Sequence, residues 1–347
     1  VIERIGGFGH GTQVRVRGAT TGQTRWALDG VALESPLGRP FDVEQLPLGL
    51  LDEVRFYPDG APFALGGEAM GGAVDLRLSA EGRSARVGVG RYGAAFAEGL
   101  VGWDGGGAGV RVLTSTGDFR YLDDGGTAFE TSDDRARTRR NNAVFRLGAM
   151  LGQRVTLGDS TLSLRWLGGF RRQGLAGAAG QPTRRAQLQH HRHDGLLQLR
   201  RGHLDVQAHL GVIDDAVDDA DGELGVAVNR ALRLLAGELS LRYGGGRVQL
   251  GSALRVTPAL RLALHGGNVA GRDLRSGDAT PSSSRRGASI ALAAPLELGG
   301  ETLTIEPRAS IDAITSDRAD DPAFSGAWQR RQVALRALTT ARLALKW

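Results

Sequence analysis

The stretch Arg247-Val-Gln-Leu-Gly-Ser-Ala-Leu-Arg-Val-Thr-Pro-Ala-Leu-Arg-Leu-Ala-Leu-His265 decides the fold class of this chain. Val248, Leu250, Leu254, Val256, Leu260, Leu262 and Leu264 share one parity, and Pro258 falls in the same phase. Two strands joined by a turn at Thr257–Pro258 would have no reason to keep that phase. The pattern therefore predicts one long strand in which Pro258 gives up a single ladder bond. At ~3.3 Å per residue such a strand reaches about 60 Å, far beyond the usual five or six residues. Soluble sandwiches rarely build strands that long; large membrane barrels do.

The same period of two runs outward from this stretch. Leu204, Val206, Ala208, Leu210 and Val212 alternate with Asp205, Gln207 and His209. Leu303, Ile305, Ala309 and Ile311 alternate with Thr304, Glu306, Arg308, Ser310 and Asp312, and Leu162, Leu164 and Trp166 with Thr161, Ser163 and Arg165. Each strand thus has an apolar face and a polar one. Short Gly-rich links at 104–107, 158–159, 202, 244–246 and 298–301 alternate with long polar links at 118–140, 171–193, 214–230, 267–286 and 315–329. Short turns on one rim and long loops on the other characterise an antiparallel outer-membrane barrel. About 12 strands fit between Ser84 and Trp347. In a barrel, Arg165, Glu306 and Arg308 would point into the lumen.

Composition excludes several classes. The 347 residues include 53 Gly and no Cys, so a disulfide scaffold, a Cys-ligated zinc and a Cys nucleophile are ruled out. No stretch approaches the 18 consecutive apolar residues of a spanning helix, which leaves a spanning barrel open. A net charge of +5, with arginines spread along the chain, argues against nucleic-acid binding. Val1–Ile5 shows no basic-then-apolar signal region, so either the chain is cytosolic or its true beginning is missing.

The first eighty residues differ from the rest. Short apolar pieces (Val14–Val16, Arg25–Val31, Val54–Tyr57, Ala73–Leu76) are broken by Gly and Pro, which reads as a small α+β domain over residues 1–79 ahead of a barrel over 80–347. Its residues carry a resemblance. Val14-Arg15-Val16-Arg17-Gly18, Trp26-Ala27-Leu28-Asp29-Gly30-Val31, Leu51-Asp52-Glu53-Val54-Arg55-Phe56-Tyr57 and Leu65-Gly66-Gly67-Glu68-Ala69-Met70-Gly71-Gly72-Ala73-Val74-Asp75-Leu76 resemble, in order and spacing, the plug domain of TonB-dependent outer-membrane receptors. The arginine-glycine pair (Arg17, Gly18), the aspartate-glycine strand (Asp29, Gly30) and the glycines before the first barrel strand (Gly66, Gly71, Gly72) are its motif positions. Where the family usually has a leucine-arginine-glycine-proline turn, this chain has Tyr57-Pro58-Asp59-Gly60-Ala61.

The resemblance implies a plug held in the lumen of a barrel that has 22 strands in the family, so this chain is expected to be a fragment of plug and barrel. It implies no catalysis and no cofactor. Its implied partners are TonB with its ExbB/ExbD inner-membrane motor, outer-membrane lipid, and a scarce small ligand such as a ferric siderophore, a corrinoid or an oligomeric nutrient. Family plug loops that reach the binding chamber map to Ala19–Gln23 and Glu34–Arg39, which makes Thr20, Thr21, Glu34 and Arg39 the candidate ligand residues. A passive or structural outer-membrane barrel, or a non-functional remnant of a receptor gene, stays open; contacts of residues 53–75 with inward strand faces would decide against the former.

Other signals weigh less. Gly88-Val89-Gly90-Arg91-Tyr92-Gly93 spells a dinucleotide fingerprint but has no acidic residue about twenty positions on, so a tight hairpin is expected. His190, His191 and His193 are expected in a long loop, solvated or holding a metal. Asp214, Asp215, Asp218, Asp219, Asp221 and Glu223 suggest a calcium loop, but the first consensus position falls on Val217.

Overall fold

The computed structural model describes residues 2–4, 12–14, 23–33, 51–58, 61–66, 71–78, 82–123, 129–178, 181–224, 229–251, 254–294, 296–298, 303–318 and 332–345. Twelve long strands among them make an antiparallel wall, joined in chain order: Arg83–Gly90, Ala94–Trp103, Gly106–Ser115, Val144–Leu157, Ser160–Gly174, Gln187–Arg201, Leu204–Asp218, Arg230–Gly244, Ala259–Asp273, Ala279–Ala293, Leu303–Arg318 and Gln332–Leu345. With three short strands the sheet counts 15. Among the described residues its outer members, Arg83–Gly90 and Gln332–Leu345, each pair on one side only, so the wall is open.

Alternation sorts the wall into two faces. On Gln187–Arg201, Arg192, Asp194, Leu196 and Gln198 are buried, while Leu197 and Leu199 are exposed. On Arg230–Gly244, Leu235, Leu239, Leu241 and Tyr243 face out and Leu234, Ala236 and Ser240 face in. From Tyr243 to Leu235 the outer face stays free of charge over about 26 Å of strand, or ~20 Å once tilted, near the apolar band of membrane barrels.

The stretch Arg247–His265 is not one strand. It folds as Val248–Leu250, Leu254–Val256 and the start of Ala259–Asp273. Gly251, at φ 73°, reverses the chain, so that Leu250 faces Leu254 and Val248 faces Val256. Leu254–Val256 then pairs with Leu296–Leu298, and Gly245 donates to the carbonyl of Pro258 at 2.6 Å. The shared parity has a simple cause. Cross-strand partners occupy the same face, and partners an even number of positions apart keep their parity through a hairpin as they would along a continuous strand.

The long links are shorter than their polarity suggests. Between wall strands, two-residue turns at 104–105, 158–159 and 202–203 lie on one rim, together with the short strands Val248–Leu250, Leu254–Val256 and Leu296–Leu298; 116–123, 129–143, 175–178, 181–186, 219–224 and 274–278 lie on the other. Above the apolar band both faces of a strand are polar. The period disappears there while the backbone ladder continues, so residues 187–193, 214–218, 267–273 and 279–286 are strand. Arg83–Gly90 and Ala94–Trp103 form the expected tight hairpin, with Tyr92 and Gly93 at positive φ in its turn.

The front of the chain is a four-stranded sheet in the order Val31–Ala32, Arg25–Leu28, Ala73–Leu78, Leu51–Tyr57, its central pair parallel. A separate pair joins Ile2–Arg4 to Thr12–Val14. One 3-10 turn, Phe63–Leu65, accompanies the sheet, and no α-helix occurs among the described residues, so the α half of the expected α+β domain is not seen in them. Trp26, Leu28, Val31, Leu33, Val74 and Leu76 form one buried cluster with Met150, Leu167 and Leu196 of the wall, flanked by Leu51, Leu78 and Leu100. At ~1.5–3 kcal/mol for each fully buried large apolar side chain, this shared core is the main attraction between the two parts.

Candidate functional site: the plug against the inner wall

The site begins at the turn between Arg25–Leu28 and Val31–Ala32. Asp29 and Gly30 both have positive φ, 50° and 85°, as a two-residue hairpin of this hand requires. Asp tolerates that region and Gly has no Cβ to clash. One Asp29 oxygen accepts the N–H of Leu78 at 3.2 Å; the other accepts Nε of Arg165, from the wall, at 2.8 Å. The N–H of Gly30 donates to Asp75 at 2.8 Å, and Asp75 pairs with Arg77 at 2.7 Å. Burial outweighs these partners and pushes the Asp75 carboxyl above its ordinary value. Arg165 thus does point inward as expected; the side chains of Glu306 and Arg308 lie outside the described residues.

Two further clamps hold the plug. Arg192 donates to the backbone carbonyl of Leu33 at 2.9 Å while paired with Asp194 at 2.6 Å, and Asp194 is 2.8 Å from Nε2 of His209. Arg25 donates through Nε to the carbonyl of Leu65 at 2.8 Å and lies 3.9 Å from Glu238, which pairs with Arg261 at 2.5 Å. Gly66 stands against that guanidinium at φ 63°, where a Cβ would run into Arg261. Gly71 donates to Gln23 at 3.0 Å, and Gly72, at φ 88°, packs a Cβ-less Cα against the carbonyl of Tyr57. The motif residues Asp29, Gly30, Gly66, Gly71 and Gly72 are therefore the joints of the plug and its fit to the wall. Arg17, Gly18, Thr20, Thr21, Glu34 and Arg39 lie outside the described residues.

Arg25, Arg192, Asp194, His209, Glu238 and Arg261 did not stand out in the sequence. For the five on the wall, the one signal is a charged or polar side chain at an inward parity position. Toward the loop rim the inner wall adds a buried apolar patch, Ile213, Leu234 and Ala236, with Val269 against it.

The histidines are not in a loop. On the strand Gln187–Arg201, His190 faces inward, 2.5 Å from Asp215, while His191 and His193 lie on the outer face against Phe170 and Trp166, at ring separations of 4.7 and 5.9 Å. Alternation puts the three on opposite faces, so they cannot share one metal. The acidic residues are likewise divided rather than converging on one ion. Asp214 pairs with Arg233 at 2.6 Å, Asp218 with Gln187 at 3.2 Å, and Asp221 with Arg185 at 3.5 Å. Asp219 accepts the N–H groups of Glu223 and Leu224. Glu223 accepts those of Arg184, Arg185 and Ala186, which hold its carboxyl below the ordinary range.

Residues 2–73 match the family model of the TonB-dependent receptor plug domain. No curated protein matches the chain. Among solved structures, the chain is similar to the ferric citrate transporter FecA in its unliganded form (11% identity, 99% of this chain and 55% of that one, TM-score 0.62). It is similar to the copper transporter OprC (13% identity, 98% and 55%, TM-score 0.63) and to BauA, the ferric preacinetobactin receptor from Acinetobacter baumannii (10% identity, 99% and 56%, TM-score 0.63). The chain spans about half the length of these structures. It carries, in residues 2–73, the plug domain of the TonB-dependent receptors and, across its length, their plug-and-barrel fold.

Proposed function

We propose that this chain is part of an outer-membrane receptor that takes up a scarce metal-bearing ligand, of the ferric-siderophore kind, through plug rearrangement driven by TonB and its ExbB/ExbD motor. Residues 1–79 are the plug and 80–347 the barrel. The observation that carries this reading is the shared core: Trp26, Leu28, Leu33, Val74 and Leu76 pack on Met150, Leu167 and Leu196. Contacts of this kind belong to a plug seated in a lumen; a periplasmic appendage of a passive barrel has no need of them. The similar structures are a ferric citrate transporter, a copper transporter and a ferric preacinetobactin receptor, which favours a metal-bearing cargo. Leu33 ends beside Arg192, nine positions along its strand from Arg201 at the short-turn rim. Thr20, Thr21, Glu34 and Arg39 are the proposed ligand residues.

The test is uptake of a panel of labelled ferric chelates by cells with and without the gene, each in tonB-positive and tonB-negative backgrounds. Uptake that needs both genes supports the reading. Uptake indifferent to TonB would leave a passive barrel.

A further inference from the structure

On the outer face of the wall, strands Arg230–Gly244, Ala259–Asp273 and Ala279–Ala293 frame an apolar groove of about 490 Å³. Leu239, Leu264 and Ala288 stand in one cross-strand row, and Leu241, Leu262 and Ile290 in the next. All six carry the outward parity of their strands. The row toward the loop rim is different: Gly237, Gly266 and Arg286. Two adjacent glycines leave a notch there. A Cβ on Gly266 would lie 3.8 Å from Cγ of Arg286, so the arginine stem lies across the notch. One row further stand Leu235, Asn268 and Ser284, also at outward parity. The groove is therefore an open apolar slot with a cation, an amide and a hydroxyl at its loop end on the strands Ala259–Asp273 and Ala279–Ala293, beside Leu235 on the third.

This arrangement has the polarity of a lipid. Within a bilayer an acyl chain gains nothing from leaving other chains for a leucine slot, because lipid tails are as apolar as leucine. The slot can align a chain, but selection has to come from the head group. A basic side chain at the membrane surface supplies that selection for an anionic one. Building on the barrel reading above, we propose that this groove is a lipid site: one acyl chain of a phosphate-bearing lipid lies along Leu239, Leu264 and Ala288, and its phosphate meets Arg286 and Asn268.

The test uses the protein purified from outer membranes in neutral detergent. Native mass spectrometry then follows retention of phosphatidylglycerol and of phosphatidylcholine with the same chains. Wild type should hold phosphatidylglycerol on the order of fivefold more strongly, the equivalent of ~1 kcal/mol for one arginine at a membrane surface. Arg286→Gln should abolish the preference while both lipids still bind. Ala288→Trp should weaken retention of both, because it fills the slot. Heat-modifiable mobility on a gel establishes that each variant is folded. Equal retention of the two lipids by wild type, or an undiminished preference in Arg286→Gln, overturns the site. So does a dimer that Ala288→Trp disrupts without changing lipid retention, since the occupant is then a second copy. Absence of the protein from the outer-membrane fraction overturns the receptor reading itself, and this site with it.

Discussion

Asp29 combines a backbone demand with a side-chain one. It sits at φ 50°, its carboxylate ties down Leu78, and it meets Arg165 with both side chains 8% exposed. Asp29→Ala should cost about 3 kcal/mol or more, because it strands a buried guanidinium and strains the turn. Asp29→Asn, which keeps the turn and an acceptor, should cost clearly less; urea unfolding of the plug measures both. Gly66→Ala should cost ~2–4 kcal/mol by the same assay, from its positive φ and from displacing Arg261. Asp75 gives a pH signature. Its carboxyl is raised above 3.8 by burial, so the folded plug binds that proton more readily than the unfolded chain does. That contribution is complete below the ordinary value and is lost as pH rises through the raised one. Wild type should therefore gain stability relative to Asp75→Asn as pH falls from neutral toward the ordinary aspartate range. An unchanged difference across that range would falsify the assignment.

At the scale of elements, periodicity made the wall legible and hid its punctuation. Twelve strands were countable because their sequences alternate apolar and polar positions over eight or so residues. Arg247–His265 misled because a hairpin whose partners are an even number of positions apart preserves parity, so period alone could not see Gly251 reverse the chain. His190 to His193 misled for the opposite reason: their strand outlasts its amphipathy. The polar clamps were illegible because each joins positions far apart in sequence, as in Arg25 with Glu238 and Leu33 with Arg192. Only the Asp29-Gly30 turn and Gly66, positions that accept few residue types, marked themselves. The two faces of one strand make a direct prediction. Leu197→Arg, on the outer face, should cost ~2–4 kcal/mol for insertion into vesicles. Gln198→Glu, its inward neighbour, sits beside Asp205 at 3.1 Å and should instead loosen the inner wall without hindering insertion.

For the whole molecule, the wall and the sheet it encloses share one hydrophobic core, so neither is complete without the other. The three clamps follow one another along residues 25–33, at Arg25, Asp29 and Leu33. The paired strands Leu51–Tyr57 and Ala73–Leu78 come later in the chain. Tension entering from the residue-2 side therefore reaches the clamped strand first, and the wall shields the later hairpin until those anchors yield. The clamps behave as a mechanical fuse in series with the rest of the plug. Its rating is set by these guanidinium contacts together with the apolar core that Trp26, Leu28, Val31 and Leu33 share with the wall, rather than by the strength of the sheet. In single-molecule pulling from that side, Arg192→Ala should lower the first rupture force and leave later events unchanged.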